Sequence, residues 1–154
     1  MPSKPKTREP VLQKPVRIMA FGTFDIIHPG HSHFFEQARA LAGKHDSYLI
    51  VSLARDKNVL RIKGKLPRAN ESTRLARVKA LKQVDRAVLG ALGDHILPIV
   101  KLKPHIIALG YDQEAYVRGL RAALAKLGLK PKIVRLKPHK PHIYKSSIIA
   151  KKSR

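Results

Sequence analysis

Two histidines, His28 and His31, stand three residues apart with Pro29 and Gly30 between them. Residues at this spacing share one side of a helix, so both imidazoles can reach the same ligand. An imidazole donates an N–H to a phosphoryl oxygen, and donors fixed where charge accumulates lower the barrier to phosphoryl or nucleotidyl transfer. The spacing therefore predicts a phosphate-binding pair in which His28 and His31 are catalytic.

A metal site is the main alternative for these histidines, because His33 adds a third imidazole and clustered imidazoles bind zinc. The chain has no cysteine, and no carboxylate cluster lies beside the histidines in sequence to complete a zinc shell. A metal site would also not explain the glycine turn at Gly22 or the Pro29-Gly30 pair between the histidines. We therefore favour phosphate as the ligand and predict no metal-binding residues.

The elements on either side of the histidines fit an anion site. Residues 16–21 are mostly apolar and β-branched, a pattern typical of a strand buried on both faces, and Gly22 ends it. Pro29 suits the first turn of a helix, and the apolar residues that follow recur at helical spacing. Because a helix start presents unpaired N–H groups and the positive end of its dipole, this strand–turn–helix unit should attract phosphate.

The sequence Gly-Thr-Phe-Asp at residues 22–25, followed by His-Pro-Gly-His at residues 28–31, resembles the HxGH motif of the cytidylyltransferase-like nucleotidyltransferases. It differs from the G-x-G-x-x-G dinucleotide fingerprint, so a nicotinamide cofactor is not expected. The resemblance implies an α/β, Rossmann-like fold with a doubly wound, five-stranded parallel sheet in the order 3-2-1-4-5. It also implies that the nucleotide is bound by Thr23, Phe24, His28, Pro29, Gly30 and His31.

Further strands are predicted at residues 48–53, 87–89, 105–109 and 132–136, and they alternate with helical segments. One of those helices should start at Asn70, a favourable N-cap, and another should span residues 113–127 and end at Gly128. Alternating strands and helices indicate a parallel sheet with right-handed crossovers. In the implied order, ligands settle at the carboxyl ends of strands one and four.

Residues 61–65 are predicted to form a basic loop with a hinge at Gly64, beyond the second strand. A loop after the carboxyl end of a strand faces the ligand crevice in such folds, so Lys63 is a candidate for binding the acceptor phosphate or the triphosphate. A purely solvated lysine is the open alternative in so basic a chain.

The resemblance implies further nucleotide contacts outside the histidine motif. Arg74 precedes the Val84-Asp85 pair at the distance where relatives carry a phosphate-binding arginine. Asp112 is a candidate acceptor for a ribose hydroxyl or an adenine amino group, with a helix cap as the other role. Ser146 and Ser147 match a helix start that holds phosphates in relatives, although a Ser-Ser pair can also be a simple cap.

Residues 16–152 are most similar to the archaeal FAD synthases, which are FMN adenylyltransferases. The similarity lies in residues 54–56, 62–64, 80–85 and 107–113, whereas the family's usual C-terminal cysteines are absent. It implies transfer of AMP from ATP to FMN with a divalent ion, Mg²⁺, and it leaves a homodimer open. A cytidylyltransferase acting on glycerol 3-phosphate, and a noncatalytic basic nucleic-acid-binding protein, are the alternatives.

The charge is the unusual feature of the composition: 32 Lys and Arg against 10 Asp and Glu give +22 over 154 residues. So large an excess attracts polyanions, yet aromatic residues are only 5% and no known nucleic-acid motif is present, which limits the expectation to nonspecific nucleic-acid contact. Residues 1–15 are predicted to be a flexible basic tail and residues 16–154 one nucleotidyltransferase domain. No membrane-length apolar run or signal peptide is visible, so we expect no membrane contact and a cytoplasmic protein.

Overall fold

The computed structural model describes residues 14–93, 96–110 and 119–137. Strands and helices alternate through these residues in the following order: β1 Val16–Gly22, α1 Pro29–Ala40, β2 Ser47–Leu53, α2 Asp56–Lys63, α3 Glu71–Lys79, β3 Arg86–Leu89, α4 Leu97–Leu102, β4 Ile106–Leu109, α5 Leu120–Lys126 and β5 Lys132–Arg135. Within the described ranges, no helix is both long and apolar enough to cross a membrane.

The five strands form one sheet in the order β3-β2-β1-β4-β5, and every neighbouring pair is parallel. The register places Ile18 of β1 opposite Leu49 of β2 on one side and Ile106 of β4 on the other. The predicted parallel sheet and its strand order are therefore confirmed. The order reverses between β1 and β4, so the carboxyl ends of these two strands form the switch point.

Helices cover both faces of the sheet, as the buried strands require. Ile18 of β1 packs in a cluster with Phe35 of α1 and Val78 of α3. The next residue, Met19, packs in a second cluster with Ile99 of α4 and Leu124 of α5. Because successive strand residues point to opposite faces, one strand serves both cores, and the sheet is doubly wound as predicted.

Two helix boundaries differ from the prediction. Residues 61–63 are the last turn of α2 rather than a basic loop, because Gly64 adopts φ 81° and caps the helix with its N–H on the Leu60 carbonyl. The helix predicted over residues 113–127 is described from Leu120, and Gly119 before it has φ 76°, which an uninterrupted α-helix does not allow. The Asn70 cap is confirmed, since its side chain accepts from the Thr73 amide at 2.8 Å.

Candidate active site

The β1–α1 turn, residues 22–31, lies at the carboxyl end of the central strand, beside the end of β4. His28 is the N-cap of α1 in an extended conformation, and Pro29 is the first helical residue, where its missing N–H removes no hydrogen bond. The His28 carbonyl accepts from the His31 amide at 2.9 Å and so starts the helix. The turn therefore places both histidines at the start of a helix, as the sequence predicts.

The imidazoles of His28 and His31 stack on each other, with ring centroids 3.9 Å apart and an interplanar angle of 25°. The Nδ1 atom of His28 accepts from the Gly30 amide at 3.1 Å, and Nδ1 of His31 accepts from the His28 amide at 3.4 Å. A neutral imidazole that accepts through Nδ1 must carry its proton on Nε2. Each ring therefore carries its donor hydrogen on Nε2, in an orientation fixed by the Nδ1 bond.

Both rings are neutral at neutral pH. Burial lowers the pKa of His28. Burial, reinforced by the neighbouring charge of His28, lowers the pKa of His31 to about 3. Two neutral N–H donors can bind phosphate oxygens and stabilise the charge that develops on a phosphoryl group, without changing their own protonation state.

The Phe24 side chain packs between His31 and the core. Its side chain is 5% exposed and contacts His31 edge-on at 5.1 Å between centroids and Phe35 at 5.4 Å. A methyl group at Gly22 would lie 2.7 Å from the Phe24 ring, so the glycine leaves space for the aromatic side chain. The Phe24 ring is therefore part of the core.

Asp25 ties the turn to the segment before α3, a role that the sequence analysis did not assign. Its carboxylate accepts from the Arg68 amide at 2.7 Å and from the Ala69 amide at 2.9 Å. These two bonds span more than forty residues of sequence. The position of Asp25 in the Gly-Thr-Phe-Asp sequence could have marked it as a functional residue, but no local pattern indicates that its partners are the amides of residues 68 and 69.

Arg74 is fully buried, at 0% exposure, and its guanidinium is committed to protein atoms. It donates to the carbonyls of Ala69 at 3.0 Å, Thr23 at 2.9 Å and Ala54 at 2.9 Å, and to the Asp56 carboxylate at 2.7 Å. The predicted contact of Arg74 with nucleotide phosphates has no counterpart in this arrangement, because the donors are turned into the protein. Arg74 instead joins the turn to the end of β2 and the start of α3.

Asp56 is itself held by Glu71, which completes this network. The Glu71 carboxylate accepts from the Asp56 amide at 2.8 Å, and Asp56 in return accepts from the Glu71 amide at 3.1 Å. Arg55 pairs with Glu71 at 3.1 Å. The α2 and α3 starts are thereby fixed to each other, and Arg74 extends that rigidity to Thr23.

Of the remaining predicted residues in the described ranges, three lie in the turn and Lys63 lies on α2. Thr23, Pro29 and Gly30 lie in the turn with the histidines. Lys63 is exposed on the last turn of α2, and no hydrogen bond given for the described residues joins it to the turn. Asp112, Ser146 and Ser147 lie outside the described residues, as does most of the predicted tail. The described part of the chain holds no group of three or more His, Cys, Asp or Glu side chains that could bind a metal ion.

A family model described as Cytidylyltransferase-like matches residues 19–152. The chain belongs to the cytidylyltransferase-like family. It is 51% identical over 120 residues to the FAD synthase of Korarchaeum cryptofilum, covering 78% of this chain and 80% of that protein. It is 41% identical over 137 residues to the FAD synthase of Thermoplasma volcanium, covering 89% of this chain and 93% of that protein.

The fold of this family member also matches solved structures. A crystal structure described as the lipopolysaccharide core biosynthesis protein of Thermoplasma volcanium superposes with a TM-score of 0.74 at 42% identity, covering 81% of this chain and 98% of that one. A pantoate-β-alanine ligase from Francisella tularensis superposes with a TM-score of 0.52 at 14% identity, covering 80% of this chain and 59% of that one, and it supports the fold alone.

Proposed function

We propose that this chain is an FAD synthase that transfers AMP from ATP to FMN and releases pyrophosphate. The observation that carries the proposal is the stacked His28–His31 pair at the start of α1, whose Nδ1 atoms accept backbone amides and whose protons therefore lie on Nε2. The similarity to archaeal FAD synthases over most of the chain supplies the identity of the two substrates.

In the proposed step, a phosphate oxygen of FMN attacks the α-phosphorus of ATP in line with the leaving group. A new P–O bond forms there, the bond from the α-phosphorus to the bridging oxygen of the β-phosphate breaks, and pyrophosphate leaves with that electron pair. A phosphate monoester has a second pKa near ~6, so FMN is mostly a dianion at neutral pH and needs no general base. The Nε2–H groups of His28 and His31 stabilise the negative charge on the α-phosphate oxygens.

The divalent ion enters as part of the substrate, Mg²⁺ bound to ATP. This assignment fits the described residues, which offer donors to phosphate but no carboxylate cage, and magnesium is commonly held by substrate phosphates and water. Asp112, Ser146 and Ser147 remain proposed nucleotide ligands, and Lys63 a proposed ligand of the acceptor phosphate. Pro29, Gly30 and the backbone of residues 23–24 would line the same phosphate site.

Several coarser assignments accompany this function. We propose that residues 1–15 form a basic tail and residues 16–154 the transferase domain, and that the enzyme works in the cytoplasm. A homodimer stays a proposal that size-exclusion chromatography with light scattering can test.

The test is a substrate matrix. Purified protein is incubated with ATP or CTP and with FMN or glycerol 3-phosphate in the presence of Mg²⁺, and FAD is measured by chromatography and pyrophosphate by a coupled assay. We expect stoichiometric FAD and pyrophosphate with ATP and FMN. Turnover confined to CTP with glycerol 3-phosphate would replace this function by the cytidylyltransferase alternative.

Histidine variants connect the activity to the pair. His28→Ala and His31→Ala should each lower kcat by about 10²- to 10³-fold, the usual loss when one donor to a developing oxyanion is removed. His33→Ala is the matched control, because His33 is a third histidine of the same helix without a proposed role. A double His28→Ala/His31→Ala variant that retains the full kcat would rule out the proposed mechanism.

A further inference from the structure

The α4–β4–α5–β5 part of the described chain carries basic residues without any acidic ones. Residues 96–110 and 119–137 contain no Asp or Glu, although they contain Lys101, Lys103, Arg121, Lys126, Lys130, Lys132, Arg135 and Lys137. In residues 14–93, by contrast, carboxylates such as Asp25, Asp56 and Asp85 are engaged by protein donors. The α4–β4–α5–β5 half therefore presents positive charge that no described carboxylate of that half neutralises.

Part of this charge lies at the amino end of the sheet, which is the end opposite to the β1–α1 turn. Lys103, Lys130 and Lys132 are exposed where the chain enters β4 and β5, and Lys14 is exposed just before β1. We call these four residues the basic end. β1, β4 and β5 are neighbours in the sheet, with β4 in the middle. Their first residues therefore lie in a row, with neighbouring strands about 4.8 Å apart.

The backbone at the basic end is fixed rather than loose. Lys103 adopts φ 45° and caps α4, and Arg17 donates from Nε to the Lys103 carbonyl at 3.0 Å. His105 accepts the Arg17 amide on Nδ1 at 3.0 Å, and its carbonyl accepts from the Lys132 amide at 3.0 Å. Asp46 lies at the same end before β2, on the opposite side of β1 from β4. The exposed ammonium groups are thus presented from a rigid row of strand starts.

We infer that the basic end binds the sugar-phosphate backbone of nucleic acid, independently of base sequence and apart from the adenylyl-transfer site at the other end of the sheet. Lysines along a row neutralise successive phosphates and release their counterions, which is the main source of nonspecific affinity. Aromatic residues are too few to indicate base readout, so backbone contact is the mode that fits.

The test measures the salt dependence of binding to a fluorescein-labelled duplex of about 20 base pairs by anisotropy. In the basic-end variant, Lys14, Lys130 and Lys132 become Gln and Lys103 becomes Asn, which tolerates the left-handed backbone. Removing four phosphate contacts should lower the slope of log K against log salt by about 3.6, so that the wild type loses about 100-fold more affinity than the variant between about 50 and 200 mM salt.

The matched control removes the same charge at the other edge of the sheet, beside β3, through Gln at the exposed residues Arg77, Lys79, Lys82 and Arg86. This control should keep a slope close to that of the wild type. FAD formation should be unchanged in both variants, which also shows that both are folded. A smaller variant, Lys130→Gln/Lys132→Gln, should lower the slope by about 1.8 and guards against misfolding of the larger one.

Equal losses of slope in the basic-end and control variants would mean that only the total charge matters, and the proposal would fail. It would also fail if the wild type bound no duplex, or if it bound vesicles containing phosphatidylserine but not DNA. None of these outcomes bears on adenylyl transfer, which the substrate matrix tests separately.

Discussion

Substitution of Arg74 tests whether its side chain positions the β1–α1 turn or binds the nucleotide directly. The side chain is 0% exposed and makes four hydrogen bonds, to the carbonyls of Ala69, Thr23 and Ala54 and to the Asp56 carboxylate. Arg74→Ala would leave these acceptors without their donor, and breaking a buried charged pair costs about 3–5 kcal/mol. That is a large share of the roughly 5–15 kcal/mol that stabilises a domain of this kind, so the alanine variant is expected to be partly unfolded.

Arg74→Lys is therefore the informative change. It keeps the positive charge near Asp56 but lacks the planar fork, so it can retain the bond to the carboxylate and one carbonyl while two carbonyls lose their donor. At about 1–3 kcal/mol for each of the two unsatisfied buried acceptors, the free energy of unfolding should fall by about 2–6 kcal/mol. Urea unfolding at constant m-value measures this loss.

Kinetics of the folded Arg74→Lys protein then distinguish the two roles. If Arg74 positions Thr23 and the turn, the imidazoles shift and kcat falls, by up to about 10²-fold for a displacement near 1 Å, while KM for ATP changes little. Arg77→Lys, on the exposed side of the same helix, is the control and should change neither stability nor kcat. An Arg74→Lys protein of unchanged stability, with a raised KM for ATP and an unchanged kcat, would show that Arg74 binds the nucleotide directly.

Three further predictions concern the turn. Asp25→Asn should cost about 1–3 kcal/mol in urea unfolding, because the amide of either Arg68 or Ala69 loses its acceptor. Gly22→Ala should cost about 1–3 kcal/mol by overpacking against Phe24, measured in the same way. The low pKa of His31 means that the unfolded chain binds a proton below pH 6.5 that the folded chain does not, so stability is fully present above pH 6.5 and falls as the pH is lowered. Between pH 6.5 and 5, the free energy of unfolding should fall more steeply for the wild type than for His31→Gln, by about 1 kcal/mol per pH unit. Parallel pH profiles of the two proteins would contradict the lowered pKa of His31.

The strands, helices and caps that could be predicted from the residues depend on short-range sequence patterns. The alternation of buried strands and amphipathic helices requires only periodicity, and the strand order followed from the family resemblance. The start of α1 was also predictable, because Pro29 and the three-residue spacing of the histidines are short-range signals. For the same reason the Asn70 cap could be predicted, since its acceptor and the Thr73 amide lie within one turn.

The contacts of Arg74 and Asp25 join distant parts of the chain. Arg74 meets a carbonyl 51 residues away, and Asp25 meets amides 43 and 44 residues away, so no local pattern indicates these partners. The basic segment at residues 61–63 was assigned to a loop from its charge, although Gly64 is as good a helix C-cap as it is a hinge. The packing of the Phe24 ring in the core is likewise not indicated by the motif, because it depends on the space beside Gly22 and on the contact with Phe35.

The neutral state of the histidine pair follows from its geometry and from the charge of the chain. Two imidazolium rings 3.9 Å apart would repel each other by about 4 kcal/mol at an effective dielectric constant near 20, so protonating both is unfavourable. A cationic pair is also unnecessary for attracting ATP, because a chain of net charge +22 already draws polyphosphates by long-range attraction. The imidazoles can therefore act as directional N–H donors, which the proposed stabilisation of the α-phosphate requires, while the remaining charge is left to bind other anions.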